Sequence, residues 1–246
     1  PISYPSNWSS HLCAELGTFY TQNLPEDTAA YNGGVLTARE FWEQMLYVFE
    51  ERSRALDYLL KNQDEDFLFV YFGTVDQGSH MLWHFMDEQH PAHVKDEFLK
   101  DGIAKLYEKI DSRLGKVRQV LDPGTTLIVM SDHGFAPFYW GVNLNTWLLQ
   151  KGYITLKDPS QQMSPDSFGN VDWTRTRAYA AGLNGLYLNL KGREKQGIVE
   201  PGPQQQALLQ ELEQALLAMK DPRNNNQVVS LMLQPGRDFH GPEKDH

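Results

Sequence analysis

Cysteine is almost missing from this sequence of 246 residues. Cys13 is the one example, which rules out an intrachain disulfide, a CxxC redox motif and a cysteine-rich zinc site. Positive charge is scarce as well: 22 Lys and Arg stand against 32 Asp and Glu, for a formal charge of −10. A protein that grips a nucleic-acid backbone normally shows a basic face, so a nucleic-acid polymer is not the expected partner. No apolar run approaches the ~20 residues needed to span a bilayer, and the opening PISYPSNW lacks the basic and apolar regions of a secretory leader. There is no internal repeat, no phosphate-cradling glycine loop, no GxSxG elbow and no dinucleotide fingerprint. What the chain does have is core material, 41% hydrophobic and 12% aromatic. That predicts a globular protein of one large domain, or a main domain with an appendage.

Residues 1–36 carry Pro1, Pro5, Pro25 and the pair Gly33-Gly34, and read as an irregular lead-in with one short helix near Ser10 to Tyr20. Thr37 and Glu40 have the spacing of a capping box, and apolar residues from Phe41 to Leu60 recur at helical period, predicting a helix to about Asn62. DFLFVYFGT (66–74) and TTLIVM (125–130) are continuous apolar runs of the kind found in strands buried on both faces. The helical pattern from Val94 to Leu121 lies between them, so the three form an expected βαβ unit with parallel strands and a right-handed crossover. Further on, a short helix is expected over 143–150 and a polar excursion over 157–170. A hairpin over 176–190, a helix over 203–220 and a last strand over 227–233 follow. The class is α/β with a small antiparallel annex.

Asp76-Gln77-Gly78-Ser79-His80 follows the first run, and Ser131-Asp132-His133-Gly134-Phe135 ends the second. Ligands of open α/β sheets bind outside the carboxyl ends of the strands, so the predicted topology would deliver Asp76, His80, Asp132 and His133 to one place. Each motif alone is common by chance; Asp245-His246 is another Asp-His pair with no strand before it. Carboxylate oxygen and imidazole nitrogen suit zinc, and also manganese or iron. Two such clusters would suit a dinuclear site acting at phosphorus. The same residues equally fit two Asp capping the turns after their strands, with His packed nearby. His84, His90 and His93 read as polar contacts or a cleft wall, Trp83 and Phe85 as core or cleft wall, and Lys191-Gly192-Arg193 as a solvated loop.

FLFVYFGTVDQGSHMLWHFMDEQHP, then LIVMSDHGF, then TRTRAYAAGLNGLYLNLKGREKQGIVEPG, taken in order, resemble the type I phosphodiesterase and nucleotide pyrophosphatase branch of the alkaline phosphatase superfamily. The likeness is greatest to its bacterial and archaeal phosphohydrolase or phosphomutase-like members, and runs from about Phe67 onward. It implies an alkaline-phosphatase-like α/β fold, a largely parallel sheet between helices. It also implies two divalent cations, usually zinc, flanking a Thr or Ser nucleophile. Carried over residue by residue, Asp76 and His80 would bind one cation, and Asp132 with His133 the other. A covalent phospho-enzyme path follows from the same resemblance, with the cations stabilising the transferring group.

Two parts of the family pattern have no counterpart among the 75 residues before Asp76: an early strand ending in an Asp ligand, and the nucleophile after it. Thr74 and Ser131 lie beside the expected ligands and are not assigned that role. His240 is the nearest match to a late third histidine, and a weak one. Residues 37–246 are therefore expected to be part of one domain lacking its N-terminal strand, nucleophile and C-terminal end, and inactive by themselves. The expected function is a metal-dependent hydrolase of a small phosphorylated substrate: a phosphodiester, nucleotide pyrophosphate or phosphomonoester. The alternatives are a phosphomutase, or a non-catalytic α/β binding module that keeps the scaffold.

Overall fold

The structure, a computed structural model, describes residues 3–21, 25–62, 66–161 and 168–241. It divides into two compact units, Pro1–Trp140 and Gly141–His246.

The first unit is built on helices. Two short ones, α1 (Trp8–Leu16) and α2 (Thr28–Asn32), fall within the lead-in; α1 overlaps the short helix expected near Ser10 to Tyr20, and α2 was not expected. The long α3 (Ala38–Asn62) starts where the capping box predicts: the Thr37 hydroxyl accepts from the Glu40 amide, and the Glu40 carboxylate accepts from the Thr37 amide. Next come α4 (Thr74–Met86) and α5 (Gly102–Val120). The predicted helix from Val94 begins later, because the Asp96 carboxylate accepts from the amides of Phe98 and Leu99 and so starts a 3-10 turn at Leu99–Asp101 that leads into α5. Phe41, Trp42 and Met45 of α3, Leu82 and Phe85 of α4, and Ile103 and Leu106 of α5 form one buried cluster with Leu99. Gly78 lets α4 approach α5, since a Cβ there would stand 2.3 Å from the Leu106 Cδ1.

The expected parallel sheet is not formed among the described residues, and neither is the βαβ unit. The stretches 67–73 and 125–130 make no β-ladder, and Thr74 already belongs to α4. Phe67 is 81% exposed and Ile128 75%. Over 67–72 exposure nevertheless alternates residue by residue, with Phe67, Phe69 and Tyr71 outward and Leu68, Val70 and Phe72 partly covered. The Phe72 ring lies against Phe49 of α3. An apolar run becomes a buried strand only when neighbouring strands satisfy both of its edges. Among the described residues none lies beside either stretch, so the periodicity of a strand is present without the pairing.

In the second unit α6 (Leu144–Gln150) is capped by the Asn143 side chain, which accepts from the Thr146 amide. The predicted hairpin is present as β1 (Ala178–Ala181) and β2 (Gly185–Leu188), antiparallel with Ala178 opposite Leu188, and Gly182 takes the positive φ its turn needs. Its amphipathic helix α7 (Pro203–Leu217) buries Leu208, Leu212 and Leu216. Leu148, Ile154, Val171, Leu188 and Val199 complete this core with Leu208 and Leu212. Asn189, fully buried, donates through Nδ2 to the carbonyls of Trp173 and Thr176 in the segment before β1 and of Gln196 in the segment after β2, tying these two loops to the end of the hairpin. The predicted last strand over 227–233 is not formed: the one ladder contact there is Gln227 with Lys220, ahead of the short α8 (Pro235–Asp238). Of the polar excursion, residues 162–167 lie outside the described residues; on either side of them the Lys157 amide donates to the Asn170 carbonyl.

Candidate metal centre

Asp76 and His80 stand one turn apart on α4, near its N-terminus. Asp132 and His133 come from the loop after the second apolar stretch. The structure brings all four together: Asp76 Oδ1 is 3.5 Å from His80 Nε2 and 3.6 Å from His133 Nε2, and His133 Nε2 is 3.7 Å from Asp132 Oδ2. Phe135 supports both imidazoles edge-on, with ring centroids 4.9 Å from His80 and 5.4 Å from His133. Asp76 is partly sheltered and its other oxygen accepts from Gln77 Nε2, while Asp132 is 84% exposed.

Zinc bonds of ~2.0–2.2 Å in a tetrahedral shell set neighbouring donor atoms about 3.3–3.6 Å apart. The separations around Asp76 match that spacing, and the oxygen and nitrogen donors match that chemistry. The contacts run pairwise, however: among the described residues no group of three or more His, Cys, Asp or Glu is arranged to hold a metal ion. Asp76 is the hub, and the exposed Asp132 is the side chain with most freedom to complete a shell.

Three neighbours carry no motif in the sequence. Glu26 is 3% exposed and accepts from the Thr74 hydroxyl at 3.1 Å. Burial pushes its carboxyl above the ordinary value, against its own amide, the Thr74 hydroxyl and Arg52, while Asp76 adds to the rise. Tyr71 is 59% exposed, and its phenol is pushed up by its partial burial and then by the charges of Asp76, Asp132 and Glu26. Phe135 is the third, and only its position after the Asp-His-Gly run could have drawn notice.

The two hydroxyls beside these Asp and His residues are engaged. Thr74 is 1% exposed and bonded to Glu26, and Ser131 Oγ donates to the His133 carbonyl. His93 Nδ1 lies 2.8 Å from the His84 carbonyl, and His90 Nδ1 accepts from the Ala92 amide. Burial, then the nearness of His90 and His93, holds the His84 imidazole below its ordinary value. In the second unit Lys191 pairs with Glu200, Arg193 with Glu194, and His240 is exposed.

The family model for type I phosphodiesterase / nucleotide pyrophosphatase matches residues 6–240. No match was found among curated proteins or among solved structures.

Proposed function

Since the chain belongs to the type I phosphodiesterase / nucleotide pyrophosphatase family, we propose that it forms the metal-binding core of a phosphoester hydrolase. Its substrate is a small phosphodiester, nucleotide pyrophosphate or phosphomonoester. The observation that carries this reading is the convergence of Asp76, His80, Asp132 and His133, from two separate stretches, through a chain of contacts of 3.5–3.7 Å that runs from His80 to Asp76, from Asp76 to His133 and from His133 to Asp132. Two divalent cations, zinc by donor chemistry, with manganese or iron as substitutes, would supply positive charge opposite a transferring phosphoryl group. Asp76 and His80 would hold one and Asp132 with His133 the other. Phe135 limits the rotation of both imidazoles, and Gln77 fixes the Asp76 oxygen turned away from them.

The nucleophile in this reading lies on a segment outside the 246 residues, and the chain alone does not turn over. In support, a phosphorus atom cannot reach the buried Thr74 hydroxyl, and the Ser131 hydroxyl is already committed to a backbone carbonyl.

Metal content after dialysis against zinc tests the centre, with an Asp76→Ala, Asp132→Ala double variant as control. About two equivalents lost in the variant are expected from a dinuclear site. Absence of specific metal in the unaltered chain would overturn the reading and leave a non-catalytic scaffold.

A further inference from the structure

The feature near the centre that neither the family nor the four ligands account for is a buried acid from another part of the chain. Glu26 lies just before α2, 48 residues from its partner Thr74, and is held among α3, α4 and the lead-in. Burying a carboxylate is costly unless its oxygens are bonded. Glu26 meets that condition through Thr74 Oγ1, its own amide and the nearby positive charge of Arg52 from α3. Thr74 is the first residue of α4, Gly73 provides no side-chain cap, and Asp76 and His80 follow on that same turn and the next. A helix end with unpaired amides and no cap is free to fray. Here an external carboxylate grips the side chain of the first residue instead.

We propose that Glu26 is a positioning residue: through the Thr74 hydroxyl it fixes the first turn of α4, and with it the Asp76 carboxylate, for cation binding. This rests on the metal-centre reading above. The acting group is the hydrogen-bond acceptor, which makes the effect of each substitution specific. Removing an outer partner that orients a metal ligand typically lowers affinity by about 10- to 100-fold. Glu26→Ala and Thr74→Val should each do so. Glu26→Gln and Thr74→Ser retain an acceptor and a hydroxyl, and should stay within about threefold of the unaltered chain on the same scale. Because both deletions break one bond, the double variant should be no weaker than either single one.

Zinc affinity of the full chain, measured by competition with a chromogenic chelator, is read beside amide hydrogen exchange of residues 76–78 in metal-free protein. A melting curve for each variant identifies any that has lost its fold; if the deletions do not fold, a loss of zinc affinity beyond about threefold in folded Glu26→Gln or Thr74→Ser overturns the proposal and retention within that range supports it. Faster exchange at 76–78 together with weaker zinc binding in the deletions, and neither in the conservative pair, supports the proposal. Unchanged exchange overturns it, as does faster exchange with unchanged zinc affinity. Loss of affinity in Glu26→Gln equal to that in Glu26→Ala overturns it too, since negative charge rather than the bond would then be acting. If the unaltered chain binds no zinc, the metal centre is what fails. The exchange arm still decides whether Glu26 holds the turn.

Discussion

Asp221 shows how strongly one neighbour can set a carboxylate. Two guanidinium nitrogens of Arg223 donate to its two oxygens at 2.9 and 2.6 Å and the Arg223 amide donates as well, which lowers its pKa to about 2. A carboxylate lowered in the folded chain favours folding at pH above its ordinary 3.8, and that contribution fades as pH falls toward about 2. NMR titration of Asp221 should show a midpoint near the lower value, moving up toward the ordinary one in Arg223→Ala. An ordinary midpoint in the unaltered chain would mean that the fork does not persist in solution. Glu26 is the opposite case at the same scale: burial outweighs its bonds and raises its pKa.

Among the elements, α4 bears the most constraint, because it presents Asp76 and His80 on one side while Leu82 and Phe85 enter the core. Gly78 sits between these two candidate ligands on the α5 side. Replacing a helical glycine with alanine is normally favourable, by up to ~1 kcal/mol, through the unfolded state. Here the added methyl would stand 2.3 Å from Leu106 Cδ1, and Leu106 is 1% exposed, so its side chain can turn aside only against the packed core. Overpacking of this kind costs typically ~1–3 kcal/mol. Gly78→Ala should therefore destabilise the chain in denaturant melts and weaken zinc binding together; a variant as stable as the original would show that α5 gives way.

Helices α1, α3, α5, α6 and α7 were legible because their signals are local, whereas α2, α4 and α8 were not expected. Thr37 with Glu40, Asn143 before α6, and Pro203 at the start of α7 each act within one turn. The hairpin β1–β2 was legible for the same reason. The expected parallel strands over 66–74 and 125–130 were not, since a ladder between them depends on residues far along the chain. The pattern over 67–72 does alternate as a strand would, yet alternation does not create a neighbour. Gln227 to Leu233 also read as a strand and has no ladder contact along its length beyond that of Gln227 with Lys220 among the described residues. At the site, the two Asp-His motifs could be read from type and spacing. Glu26 could not, because it belongs to an irregular stretch and acts on Thr74 through a contact with no spacing rule.

At the scale of the whole molecule, each unit has its own buried core, one centred on Leu82 and Leu106, the other on Leu148 and Leu212. Among the described residues no helix is long and apolar enough to cross a membrane. The charge of −10 acts on every copy, while the outward apolar side chains of 67–71 and 127–130 offer each copy something to adhere to. Repulsion between like-charged molecules reaches ~30 Å at 0.01 M ionic strength and only ~3 Å at 1 M. Colloidal stability is thus a property of the buffer as much as of the chain. Light scattering should be low in dilute salt and climb as salt is added, and a Phe67→Glu, Ile128→Glu variant should flatten that climb by breaking the adhesive surface. A scattering curve indifferent to both would mean that these side chains are covered in solution. On that expectation the unpaired stretch over 67–72 should behave as a salt-gated sticker, kept quiet in dilute buffer by the acidic background of the chain.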